Sequence, residues 1–152
     1  MDPLIRSFVV EKLKVMIFSD RKAMGKASGD AVAAKMREIL QQEKDLFIVF
    51  ASAPSQNEFL ETLGQSSGID WKRVTAFHLD EYVGLPGEAP QNFGRFLRWK
   101  LFEKVRPDKV HYINGMADDL EGKCRRYAYL FKDHPFDIWL PRDRREWASG
   151  LQ

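Results

Sequence analysis

The sequence predicts an α/β protein: a Rossmann-like parallel sheet flanked by helices on both faces, truncated after about five strands. Three observations carry this. Strand-like and helix-like periodicities alternate along the chain. The run LFIVFA (46–51) is continuously apolar, as in a strand covered on both faces. A helical segment separates successive strands, which implies right-handed crossovers with helices on both faces.

The elements follow in order. LKVMIF (13–18) is apolar and β-prone, and Ser19-Asp20 after it reads as a helix cap. A helix is expected from 20 to about 43, with Met24, Ala27, Ala31, Val32, Met36, Ile39 and Leu40 on its apolar side. LFIVFA is the second strand. Ser55-Gln56-Asn57-Glu58 matches the S-x-x-E capping box and opens a helix through Phe59, Leu60 and Leu63, ending near Gly64. RVTAFHL (73–79) is the third strand, and the Gly/Pro-rich loop EYVGLPGEAPQN (81–92) follows it. Phe93, Phe96, Leu97, Leu101 and Val105 mark a helix that Pro107 ends. VHYING (110–115) is the fourth strand. Leu120, Cys124, Tyr127 and Phe131 form the next helical stripe, and FDIWL (136–140) is the fifth strand. Cys124, the four tryptophans and Phe93, Phe96 and Phe102 are expected in the core.

Composition narrows the function. Of 152 residues, 44% are hydrophobic and 30% charged, enough apolar material for one globular domain. The net charge of +2 argues against a dedicated nucleic-acid or anionic-membrane partner. The single cysteine excludes an intrachain disulfide and a cysteine zinc site and fits a reducing, cytoplasmic setting. No apolar run is long enough to span a bilayer, and charges interrupt the apolar stretch of the N-terminus, so no membrane partner or leader is expected. His111 and His134 have no neighbours at metal-ligand spacing, so neither metal nor cofactor is expected.

In parallel α/β sheets, ligands sit beyond the carboxyl ends of the strands. That rule selects Ser19-Asp20, Ala51 to Gln56 and Asp80 to Asn92. Asp80 and Glu81, directly after a strand, suit general-base work, although a strand exit that simply turns polar looks the same. In Ser52-Ala53-Pro54-Ser55-Gln56, small residues and a helix N-terminus favour an anion such as phosphate. An ordinary strand–helix turn is the competing reading. His78, alternating with Leu79 in a buried strand, reads as a hydrogen-bonded structural residue, and KCRRY (123–127) as a solvated helix face.

FHLDEYVGLP (77–86) followed by PQNFGRFL (90–97) resembles the glucosamine-6-phosphate deaminase family, which forms a superfamily with 6-phosphogluconolactonase. DEYVGL points to the deaminase branch, and the resemblance spans about 13 to 138. It implies isomerisation of an amino-sugar phosphate with loss of ammonia. Asp80 matches the family's general base, moving a proton at C2 of the opened sugar, and Glu81 matches an adjacent supporting carboxylate. The 51–56 turn matches the phosphate-binding turn but departs from it, with ASAPSQ where deaminases carry a Gly-Gly-Thr-Pro type sequence. A sugar phosphate is the implied partner, and the family leaves room for oligomers. A lactonase-like hydrolase and a non-catalytic sugar-phosphate-binding module are the alternatives.

After the fifth strand the family continues with a G-x-G-x-N/D-G-H-x-A-F-N type segment whose histidine and acidic residues assist ring opening. Here the text reads WLPRDRREWASGLQ. One permitted back-translation of residues 142–152, read from its second base, spells G-I-G-E-N-G-H-L-A-F and then a codon that Asn satisfies. The glycine formed across Trp147 and Ala148 is compelled whatever codons are chosen. The expectation is therefore an N-terminal part of the family domain over 1–138 and an out-of-frame tail over 139–152, leaving a catalytically incomplete chain of low solubility.

Overall fold

The computed structural model describes residues 3–42 and 44–141. β1 (Leu4–Val10) and β2 (Leu13–Phe18) form an antiparallel hairpin with Val10 opposite Leu13. A parallel four-stranded sheet of β3 (Leu46–Phe50), β4 (Val74–His78), β5 (Lys109–His111) and β6 (Ile138–Leu140) lies in the order β5-β4-β3-β6. Its helices are α1 (Arg21–Gln41), α2 (Asn57–Gln65), α3 (beginning at Phe93–Leu97) and α4 (Leu120–Asp133).

The expected five strands are all present, but the first is not in the parallel sheet. Residues 13–18 pair with β1, a strand the sequence reading passed over because no Asn-Gly or Asp-Gly turn announces the hairpin. Glu11 supplies the turn instead, at φ 55°. The fourth strand is shorter than 110–115, ending at His111 where the pairing with Phe77 stops.

Pleat alternation sorts the core. Leu46, Ile48 and Phe50 project towards α1, α2 and α3, packing with Met36, Leu60, Leu63, Leu97 and Leu101. Val49 and Phe77 project to the opposite face, against Tyr127, Leu130 and Phe131 of α4. Both faces of the sheet are thus covered, and the unbroken apolar character of 46–51 follows from that.

α1 starts as read: the Asp20 carboxylate accepts the Ala23 N–H at 2.8 Å. Its buried stripe, however, is Gly25, Gly29, Ala33, Met36, Ile39 and Leu40, while Met24 and Ala31 are exposed. The small residues face α2. A Cβ on Gly25 would collide with Cβ of Glu58, and one on Gly29 would come within 2.6 Å of Cβ of Thr62. Two glycines one turn apart therefore set the α1–α2 approach. After Leu97, α3 continues through a π-helical turn, Arg98–Phe102, and closes at Glu103–Val105.

Several expected core residues lie outside it. Cys124 is exposed, because α4 turns only Tyr127 fully inward. Trp71 is buried, but Trp99 and Trp139 are more than half exposed, and Trp147 lies outside the described residues. Phe102 is buried and Phe93 and Phe96 are half-buried. Trp139 and Leu140, assigned to the tail, belong to β6. Residues 142–152 of the tail fall outside the described residues.

Candidate functional site

The two loops singled out by sequence leave neighbouring strands at the same end. β3 and β4 run parallel with Phe50 opposite His78, and the Leu79 N–H donates to the Phe50 carbonyl at 2.9 Å. Ala51 to Gln56 and Asp80 to Asn92 therefore start side by side. β5 to β6 then crosses back to the far side of β3. The strand order reverses between β3 and β6, the position where ligand crevices open in such sheets. A cavity of about 250 Å³ lies there, with Ser55 and Gln56 in one wall and Leu140 and Pro141 in another.

Asp80 is half-buried, one residue past the last strand-to-strand hydrogen bond. Glu81 has a defined structural task. Its Oε1 accepts the backbone N–H groups of Tyr82 (2.9 Å) and Phe93 (3.1 Å), and Oε2 accepts that of Gly94 (3.0 Å). It thus satisfies free donors at the start of α3, where a negative charge is also favoured by the helix dipole. Asn92 adds a second cap, its Oδ1 accepting the Arg95 N–H at 2.7 Å. A carboxylate holding three backbone donors is a brace, and the long 81–92 loop is closed at its base by it.

The 51–56 turn meets the same helix. Ser52 is buried, and its hydroxyl donates to the Phe93 carbonyl at 3.2 Å. Ser52, Phe93 and Glu81 thus form one chain of contacts from the first loop to the second. Ala53 is also buried, Ser55 and Gln56 are half-buried, and Pro54 is exposed. The capping box does not form. Pro54–Gln56 makes a single 3-10 turn, α2 begins only at Asn57, and no side chain caps it. Glu58 turns to Arg21 instead, accepting its Nε at 2.7 Å, and this contact holds the Glu58 carboxyl below the usual carboxylate range. Arg21 also donates to the Pro54 carbonyl and so fixes the turn from α1, a residue that sequence spacing alone had no means of selecting.

Beneath Asp80 lies a buried polar knot. His78 is fully buried, and its Nε2 accepts the Ile113 N–H at 2.7 Å. The Tyr127 hydroxyl accepts the His78 N–H (3.1 Å) and donates to the His78 carbonyl (2.8 Å), with the His111 carbonyl at 3.2 Å. Burial pushes the His78 ring down to about 4, against the weaker opposing pull of the Glu81 carboxylate and the Asp80 backbone. Burial likewise raises the Tyr127 phenol. His78 is hydrogen-bonded in a buried strand, as expected, and Tyr127 on the apolar stripe of α4 adds a buried hydroxyl that the stripe does not signal. Among the described residues, no three His, Cys, Asp or Glu side chains are grouped to hold a metal, and no helix is long and apolar enough to cross a membrane.

A parallel α/β sheet with helices on both faces and two joined loops at the carboxyl ends of adjacent strands defines the doubly wound class, whose ligands bind at that end. The chain belongs to the family described as glucosamine-6-phosphate isomerases/6-phosphogluconolactonase, whose model matches residues 19–140. It is 34% identical to glucosamine-6-phosphate deaminase 2 of Giardia intestinalis over 131 residues, covering 80% of this chain and 49% of that protein. It is 32% identical over 118 residues to the glucosamine-6-phosphate deaminase of Halothermothrix orenii, covering 76% of this chain and 48% of that one. Among solved structures, 6-phosphogluconolactonase from Plasmodium vivax superposes with a TM-score of 0.73 at 12% identity, over 88% of this chain and 49% of that one. A monomeric glucosamine-6-phosphate deaminase gives 0.65 at 23% identity, over 75% and 48%. These structural likenesses speak for the fold. The chain spans about half the length of the curated relatives it matches.

Proposed function

We propose that this chain carries the proton-transfer and phosphate-binding part of a glucosamine-6-phosphate deaminase-type site. Asp80 is the general base. It takes the C2 proton of the ring-opened amino-sugar phosphate and leaves an enolamine. Return of a proton to C1 gives an imine at C2, and water hydrolyses that imine to ketose and ammonia. Glu81 is the supporting carboxylate: it holds the start of α3 and so fixes the backbone that carries Asp80. Backbone N–H groups and Ser55 of the 51–56 turn take the phosphate. Ser52 acts from behind, since its hydroxyl is committed to Phe93.

The observation that supports this reading best is the Ser52–Phe93–Glu81 chain of contacts, which links the 51–56 turn to Glu81, the neighbour of Asp80. The deaminase names of relatives at 30% identity and above favour this chemistry over lactone hydrolysis. The departure of ASAPSQ from the deaminase turn favours a related sugar phosphate as the second reading.

The tail is part of the proposal. Residues 142–152 are the out-of-frame reading of the family's histidine segment, so the chain as it stands releases no ammonia and the frame-restored protein does. Sequencing the DNA across codons 136–152 checks the first half of this, and DNA unable to encode the histidine motif in the next frame overturns it. Assays of the frame-restored protein check the second half. Ammonia released from glucosamine 6-phosphate supports the deaminase reading, and hydrolysis of 6-phosphogluconolactone without ammonia release replaces it. Saturable micromolar binding of sugar phosphate in calorimetry, with no turnover of either, identifies a binding module instead.

A further inference from the structure

The geometry points to His78 as a positioning residue that, with Tyr127, aims the Asp80 segment from below. The assignment rests on the reading of Asp80 as the base. The β4–β5 ladder ends at the pair Phe77–His111. Beyond that pair the two strands separate, and β3 still holds the start of the Asp80 segment through the Leu79–Phe50 bond. Four backbone polar groups are opened by the separation: the His78 N–H and carbonyl, the His111 carbonyl and the Ile113 N–H. The Tyr127 hydroxyl serves the first three and the His78 ring serves the fourth. A buried group left without such a partner is costly, so the two side chains substitute for the missing ladder.

The Ile113 contact reaches the loop. The turn after Ile113 brings the Gly115 carbonyl to the Gly84 N–H at 2.8 Å, and Gly115 lies so close to the Tyr82 carbonyl that no Cβ fits between them. Residues 82–84 are therefore buttressed by the 113–115 turn, which the His78 ring holds. With Glu81 bound to Phe93 and Gly94, the segment after Asp80 is fixed at both ends. An acceptor at Nε2 requires the ring's single proton on Nδ1, which makes no hydrogen bond among the described residues. A ring with one buried nitrogen left over is a poor choice for filling a core and a good one for delivering a single acceptor to Ile113.

The test compares His78→Gln, whose side-chain oxygen can reach the Nε2 position, with His78→Leu, which keeps the bulk and loses the acceptor. Amide hydrogen exchange is read on the full chain. Leu is expected to speed exchange at Ile113, Tyr82 and Gly84 at least tenfold while amides in α1 keep their protection, and Gln is expected to restore most of it. Equal behaviour of the two variants, or loss spread evenly over α1 and β3, overturns the assignment and leaves His78 a packing residue. If Leu does not fold, Gln alone decides: slowed exchange at Ile113 close to that of the parent upholds the acceptor role, and exchange raised tenfold refutes it. No turnover is needed, so a frame-restored protein without deaminase activity counts against the function reading and not against this one.

Discussion

At the scale of single residues, two groups carry testable weight. Glu81 accepts three backbone N–H groups, two of them at the half-buried start of α3. Glu81→Ala leaves those donors unpaired and should destabilise the protein by about 2 kcal/mol, measured by urea denaturation. No loss of stability would mean that water replaces the carboxylate. His78 gives a pH signature. Its folded pKa of about 4 lies below the ordinary histidine value of 6.5, so the unfolded chain binds the extra proton first. Its contribution is present above about pH 6.5 and is lost as pH falls towards 4, a change of roughly 3 kcal/mol. His78→Gln should flatten the stability profile in that window. Asp80 and Glu81 were legible as a pair because they follow an apolar strand directly. That Glu81 caps a helix twelve residues on was not, since no local spacing encodes a long-range cap. The Ser55–Glu58 capping box shows the reverse failure: the motif is present, but Arg21, far away in sequence, competes for the glutamate.

At the scale of elements, the sequence pattern located the strands of the parallel sheet and the long helices among the described residues, because burial on two faces or along one helical stripe leaves a clear period. It misplaced the inner face of α1. Glycine carries no hydrophobic signal, yet at Gly25 and Gly29 α1 lies so near α2 that a Cβ would clash. Gly29→Val must push Thr62 and α2 away and should cost about 2 kcal/mol, seen as a lower Tm, whereas Gly87→Ala, with open space around it, should change Tm little. Equal effects at both positions would contradict the close approach. The hairpin was half legible for a related reason. Only Leu4 and Phe8 and, opposite them, Phe18 and Val15 are half-buried, and Ile5, Val9 and Leu13 are each two-thirds exposed, so no clean alternation marks the strands.

At the scale of the whole molecule, the exposed apolar hairpin and the outer edge of β6, with Trp139 half exposed, are surfaces that favour self-association. The chain should elute above its monomer mass in size-exclusion chromatography with light scattering, and Ile5→Thr with Val9→Thr should shift it towards monomer. A monodisperse parent monomer with a sharp, reversible unfolding transition would contradict this. The order β5-β4-β3-β6 also places the candidate chemistry: it follows from adjacent parallel strands delivering two loops to one end of the sheet, which strand periodicity predicts once the strands are ordered. The central claim is that Asp80 moves the proton at that end. The most direct measurement is ammonia release from glucosamine 6-phosphate by the frame-restored protein and by its Asp80→Asn variant. Removing a general base at carbon predicts a loss of at least about a hundredfold in kcat with Tm nearly unchanged. Turnover by the variant equal to that of its parent would contradict the account.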